Sequence, residues 1–229
     1  MLVVQRIRRV WNQWNLLLTI CFAFFVYNWT WQKQDPVMEI LGGIPDYGGK
    51  NIELVPLGKW LFLFAFFLFI VCKEIQTDLK IRRFELYRYQ NFMAWWREHF
   101  FNIHFTNGIV FLIAYLIWAG LGEMNMQLAA ALTFFLHLSS MVSILLTVDY
   151  ISTVKLAPGI LIVAEGVGYV LSVNYDIPWL ACGMYNRSVF ARTNGFWIGT
   201  LVAEVVVTVI CFLAVPVLWK KDILERKEN

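Results

Sequence analysis

An all-α membrane protein of six transmembrane helices in a single domain is the fold class this sequence predicts, and three observations predict it. Hydrophobic residues make up 59% of the 229 and charged residues only 15%, well under the roughly 25% charge of an ordinary soluble domain. The apolar residues gather into six long runs, each near the roughly 20 residues a helix needs to cross the hydrocarbon core. Lys and Arg are shared unequally between the segments joining those runs. This balance excludes a secreted, disulfide-built domain and a nucleic-acid-binding one.

The runs are Trp14–Trp31, Leu54–Cys72, Thr106–Gly122, Met124–Val148, Leu156–Val173 and Phe196–Trp219. Each reads as a helix because backbone facing lipid must satisfy its own hydrogen bonds. With the N-terminus in the cytoplasm, 14 of the 19 Lys and Arg fall inside and five outside, so the charge rule predicts an even number of spans and two cytoplasmic termini. Tryptophans at 14, 29, 31, 60, 118, 179, 197 and 219 lie near run ends, where interfacial anchors belong. The first run carries bulky aromatics where a signal peptidase needs small side chains, so it is expected to stay as a helix. Cys21, Cys72 and Cys211 fall inside runs and only Cys182 outside, which leaves no disulfide outside the membrane. No Cys/His spacing fits a zinc site.

The connections differ in chemistry. Short links of Gly120–Asn125 and Asp149–Lys155 make spans three, four and five antiparallel neighbours. The external stretch Gln32–Glu53, with glycines at 42, 43, 48 and 49 around Asp46 and Tyr47, reads as an irregular external loop of turn residues, the alternative being a loop that covers the outer mouth or contacts a ligand. The cytoplasmic stretch from Lys73 to Phe105 holds six of the inside basic residues. On a helical wheel Tyr89, Phe92, Met93, Trp96 and Phe100 share one face, so it predicts an amphipathic helix at the membrane surface. Such a helix either anchors the fold or docks a cytoplasmic protein, with Arg88, Tyr89, Trp95, Trp96 and Arg97 as its contacts. The external stretch Asn174–Gly195 is too apolar for a solvated loop and too interrupted for a span, and is expected to re-enter the membrane partway.

The block Glu-Leu-Tyr-Arg-Tyr-Gln-Asn-Phe-Met-Ala-Trp-Trp-Arg (Glu85–Arg97), the basic amphipathic start Gln5–Asn15 and the order of loops resemble the membrane subunits of type-two ABC transporters. The resemblance is nearest to the short bacterial permeases of bacteriocin or lantibiotic export and immunity. It implies an N-terminal elbow helix, a coupling helix between spans two and three that docks on an ATPase, and re-entrant helices between spans five and six. It further implies a bacterial plasma membrane location, a homodimer or a heterodimer with a second permease, and export of a peptide, lipid or drug-like substrate. The long loop Gln32–Glu53 departs from the short first external loop common in that family. No Gly-x-x-x-x-Gly-Lys-Ser/Thr motif occurs, so ATP and magnesium would sit on a separate P-loop ATPase subunit.

Three polar groups fall within spans. Glu165 and Glu204 each cost about 3 kcal/mol at mid-bilayer on insertion scales and must face protein, water or a counter-charge. His137 joins Thr133, Ser140, Ser143 and Thr147 in a polar stripe along span four. These groups either line a pathway or bond helices together. A structural or regulatory membrane subunit, an intramembrane enzyme and a proton-coupled carrier using Glu165 and Glu204 are the alternatives to the permease.

Overall fold

The structure, a computed structural model, describes residues 13–30, 40–43, 52, 54–86, 91–121, 128–152, 157–175, 177–181, 183–185 and 194–228. Their regular structure is entirely helical: α1 (Gln13–Thr30), α2 (Leu54–Leu86), α3 (Phe92–Leu121), α4 (Leu128–Ser152), α5 (Ala157–Tyr175) and α6 (Asn194–Glu228), with a 3₁₀ turn at Pro178–Ala181. Five of them, α2 to α6, contain stretches long and apolar enough to cross a membrane. The chain is a helical multi-pass membrane protein. The first predicted span is the short one, an apolar helix over Asn15–Trp29, whose rise of about 22 Å is less than the roughly 30 Å core.

α1 nonetheless runs beside α2 over most of that depth. Phe22 stacks on Phe66 at 3.6 Å, and Phe25 and Trp29 meet Phe62. At its start the Asn15 amide donates to Glu74 at 2.6 Å and accepts from the Lys73 ammonium at 2.9 Å. One amide thus satisfies both an acid and a base at the end of the apolar stretch. Against α3, Trp118 donates to the Ala23 carbonyl and the Tyr27 hydroxyl to the Leu121 carbonyl.

α4 occupies the centre, packed against α2, α3, α5 and α6. Spans three, four and five are therefore neighbours through α4, as the short links predict, and α6 is the fourth member around it. Phe67, Phe111 and Phe134 fill the space where α2, α3 and α4 meet. α6 turns Ile198, Val202, Val206, Val209 and Leu213 outward, the side a lipid chain or another subunit would touch.

The stretch from Lys73 to Phe105 is not a surface helix between spans. α2 continues unbroken to Leu86, and α3 begins at Phe92, so the predicted third span starts fourteen residues late. Of the aromatic face that reads as interfacial, Trp96 and Phe100 are buried within the bundle and Phe92 is half-buried, while Met93 is exposed and Tyr89 lies outside the described residues. Phe92 stacks on Trp219 at 4.3 Å, and Phe100 lies edge-on to Phe212 at 5.1 Å. Trp96 has a stronger reason to face inward. Pro216 inside α6 has no N–H to give the Phe212 carbonyl one turn earlier, and the Trp96 indole donates to that carbonyl at 2.8 Å. In an apolar setting the orphaned carbonyl would otherwise cost several kcal/mol.

The expected tryptophan belt is corrected in the same way. Trp29 and Trp179 are about half exposed, but Trp60 and Trp118 are buried and bonded between helices. The elbow segment Gln5–Asn15 lies, up to residue 12, outside the described residues.

Candidate functional site

His137 sits about 14 Å along α4 from Leu128, at about 1.5 Å per residue, which is near mid-depth of a bilayer core. Glu165 on α5 and Glu204 on α6 reach it from opposite sides. His137 Nδ1 is 2.7 Å from Glu204 Oε1, and Nε2 is 3.1 Å from Glu165 Oε2. All three side chains are buried, His137 to 2% and each glutamate to 6% exposure. The two carboxylates, on consecutive helices, are joined by one imidazole.

Each carboxylate has a second partner. Trp60 on α2 donates its indole N–H to Glu165 Oε1 at 3.1 Å. The Ser140 hydroxyl bonds Glu204 Oε2, and it also lies 2.9 Å from the carbonyl of His137. Phe64 covers the imidazole with ring centroids 5.6 Å apart. The site thus draws on α2, α4, α5 and α6.

A fifth wall comes from the link between α5 and α6. Past Tyr175 the chain turns back, with Ile177 N–H donating to Ser172 O, Leu180 N–H to Ile177 O and Met184 N–H to Ala181 O. These local bonds satisfy backbone that would be untenable against lipid. Ala181 and Met184 are buried, and Gly183 lies on the His137 ring so closely that a Cβ there would overlap Cδ2. At Gly168 on α5 a Cβ would meet the Leu180 carbonyl oxygen at 2.5 Å. Two glycines thus let the returning segment press on α5 and the histidine. A piece of the predicted outer loop lies on it in turn: Leu41 is buried, and Gly43, at φ 75°, packs against Met184.

The polar stripe of α4 divides by function. Thr133 receives the Trp197 indole at 2.8 Å, and Ser143 bonds His104 of α3 at 3.0 Å. Thr133, Ser143 and Thr147 also donate to the carbonyls of their own preceding turn, the usual resort of a hydroxyl in an apolar helix. These three tie helices together, while His137 and Ser140 belong to the charged cluster.

His137, Ser140, Glu165 and Glu204, read separately from the sequence, are therefore brought into one site. The proposed docking residues are not. Trp95 and Trp96 are buried, with Trp95 stacked on His99 and Trp96 committed to Phe212. Arg97 is exposed, and Arg88 and Tyr89 lie outside the described residues. Sequence reasoning misses Trp60, which sits at a span end and reads as an anchor, and Gly183, which reads as a turn residue. A tryptophan less than two turns inside a span that also carries buried acids elsewhere is the one signal that points to the former.

Chemically the cluster holds charge and protons. His137 offers opposite nitrogens to the two carboxylates, so the three groups do not converge on one point. Among the described residues no set of three His, Cys, Asp or Glu is arranged to hold a metal ion. The chain matches no family model, no curated protein and no solved structure.

Proposed function

We propose that the chain is the transmembrane subunit of an exporter of the type-two ABC kind, sited in a bacterial plasma membrane with both termini cytoplasmic. A separate P-loop ATPase binds ATP and magnesium, and a second copy or a related permease completes the pathway. The observation that carries the reading is the α2–α3 hairpin. α2 continues past Ile75, the end of its apolar stretch, to Leu86, a rise of about 16 Å beyond that stretch. In sequence Arg88 and Tyr89 lie between α2 and α3, and Arg82 and Arg83 precede them. This basic stretch, with exposed Arg97, is the docking surface. The link that folds back between α5 and α6 supports the same reading, as that family layout has re-entrant helices there.

Affinity purification from mild detergent with a co-expressed P-loop ATPase tests it. Wild type retains the ATPase, and the Arg82→Glu/Arg83→Glu/Arg88→Glu variant releases it while keeping its elution volume. Equal retention by both, or none by either, sinks the docking claim.

One observation favours a second reading. A buried Glu-His-Glu set in a membrane protein is a proton-handling site by its chemistry, which suits a proton-coupled carrier. Proteoliposomes holding this chain alone would then accumulate substrate down a proton gradient, and Glu165→Gln or Glu204→Gln would stop it.

A further inference from the structure

We propose that the cluster is a proton-binding site with unlike carboxylates: Glu204 takes up the exchangeable proton, and Glu165 remains the fixed counter-charge of His137. The assignment follows from which neighbours can accept a hydrogen bond. With both carboxylates ionised, both ring nitrogens must donate, so the imidazole is protonated and the three side chains together carry one net negative charge. Charge left unbalanced in a low-dielectric interior is expensive, so one further proton is welcome wherever its O–H finds an acceptor.

Glu165 offers none. Its Oε1 faces the indole N–H of Trp60 and its Oε2 faces the His137 N–H, and both are donors. A proton on either oxygen would meet another hydrogen and cancel a bond already made. Glu204 differs on account of Ser140. That hydroxyl is within reach of both Glu204 Oε2 and the carbonyl of His137 at 2.9 Å. When Glu204 is ionised Ser140 donates to it. When a proton arrives from water, an O–H bond forms on Oε2, and Ser140 rotates to donate to the carbonyl while accepting from the new O–H. One bond to the carboxylate is exchanged for one to the backbone, every donor keeps an acceptor, and the charge of the three groups falls to zero.

The groups facing Glu204 from each packed element are consistent with this assignment among the described residues. α4 brings His137 and Ser140, and α5 brings Glu165 through the shared imidazole, with the non-titrating Trp60 of α2 on the far side of Glu165. α3 brings His104 to Ser143, one turn further along α4, and the returning segment brings the backbone of Gly183. The site stands whether ATP or a gradient supplies the energy, so loss of ATPase binding leaves it intact.

Infrared difference spectroscopy on full-length, glutamate-labelled protein in lipid nanodiscs tests it, with pH stepped from mildly alkaline to mildly acidic. Wild type gains one protonated glutamate carboxyl band, and Glu204→Gln loses it. Ser140→Ala, a change mild enough to keep the fold, retains the band but moves it to higher frequency because the O–H has lost its acceptor. The proposal is overturned by a wild-type spectrum without such a band, by a band that survives in Glu204→Gln, or by one whose frequency Ser140→Ala leaves unmoved.

Discussion

Trp60, Trp96, Trp118 and Trp197 each donate the indole N–H to an acceptor on another helix. An indole suits this setting because it is a large apolar plate with a single donor and no acceptor to satisfy. Trp96 gives the sharpest test. Trp96→Phe keeps the plate and deletes the donor, so stability should fall by about 1 to 3 kcal/mol, the cost of one orphaned buried carbonyl. In a Pro216→Ala background residue 216 regains an N–H for the Phe212 carbonyl, and the same substitution should then cost markedly less. Thermal unfolding of the four proteins in one detergent measures the difference, and equal costs in the two backgrounds would refute the pairing. At the cluster, His137→Ala leaves two buried carboxylates facing each other and should lose about 3 to 5 kcal/mol. A His137→Leu/Glu165→Leu/Glu204→Leu variant removes all three charges and should recover most of that loss, since an apolar replacement of a buried ionic set is often neutral. At this scale the sequence is informative about chemistry and silent about pairing. Glu165, Glu204 and His137 stand out as charges inside apolar runs, but nothing in their spacing says that they meet.

Elements are legible in kind and less so in number and extent: where the sequence predicts six spans, five of the described helices are long and apolar enough to cross a membrane. The predicted starts of α2, α5 and α6 lie within two residues of those observed. The error at α3 has a physical cause: a helix with one aromatic face and one polar face reads alike whether the aromatic side lies on a membrane or on other helices. What decides it here is Pro216, more than a hundred residues away, whose missing N–H creates a carbonyl for Trp96 to serve. The returning segment is legible as unusual and not as a wall of the site, because Gly183 reveals its role only once His137 is beside it. Gly183→Ala must push that segment off the ring. In a Cys182→Ser background, a cysteine at Ala181, buried in the native fold, should then react several-fold faster with a membrane-impermeant maleimide. An unchanged rate would mean that the segment is held by something other than its fit to His137.

For the whole molecule, composition gives the solvent and loop charge gives a direction, but the rotation of each helix about its axis is not encoded in any stripe. The spans are apolar nearly all round, as lipid demands, so a facing surface is chosen by packing and by the few polar groups. α1 is the element on which the count turns. Six crossings put both chain termini on one side, and five put them on opposite sides, so reporter fusions to each terminus, read from both compartments, should give the same side twice.

The bond between Trp96 and the Phe212 carbonyl also has a mechanical aspect. α6 lacks its own hydrogen bond at that turn, and the bond is supplied instead by a side chain in the first turns of α3. Phe92, at the start of α3, stacks on Trp219 and braces the next turn of α6. Glu204 lies on α6 about 12 Å from Phe212. The start of α3 and α6 are thus joined on both sides of Pro216, on the same helix that carries Glu204 into the buried cluster.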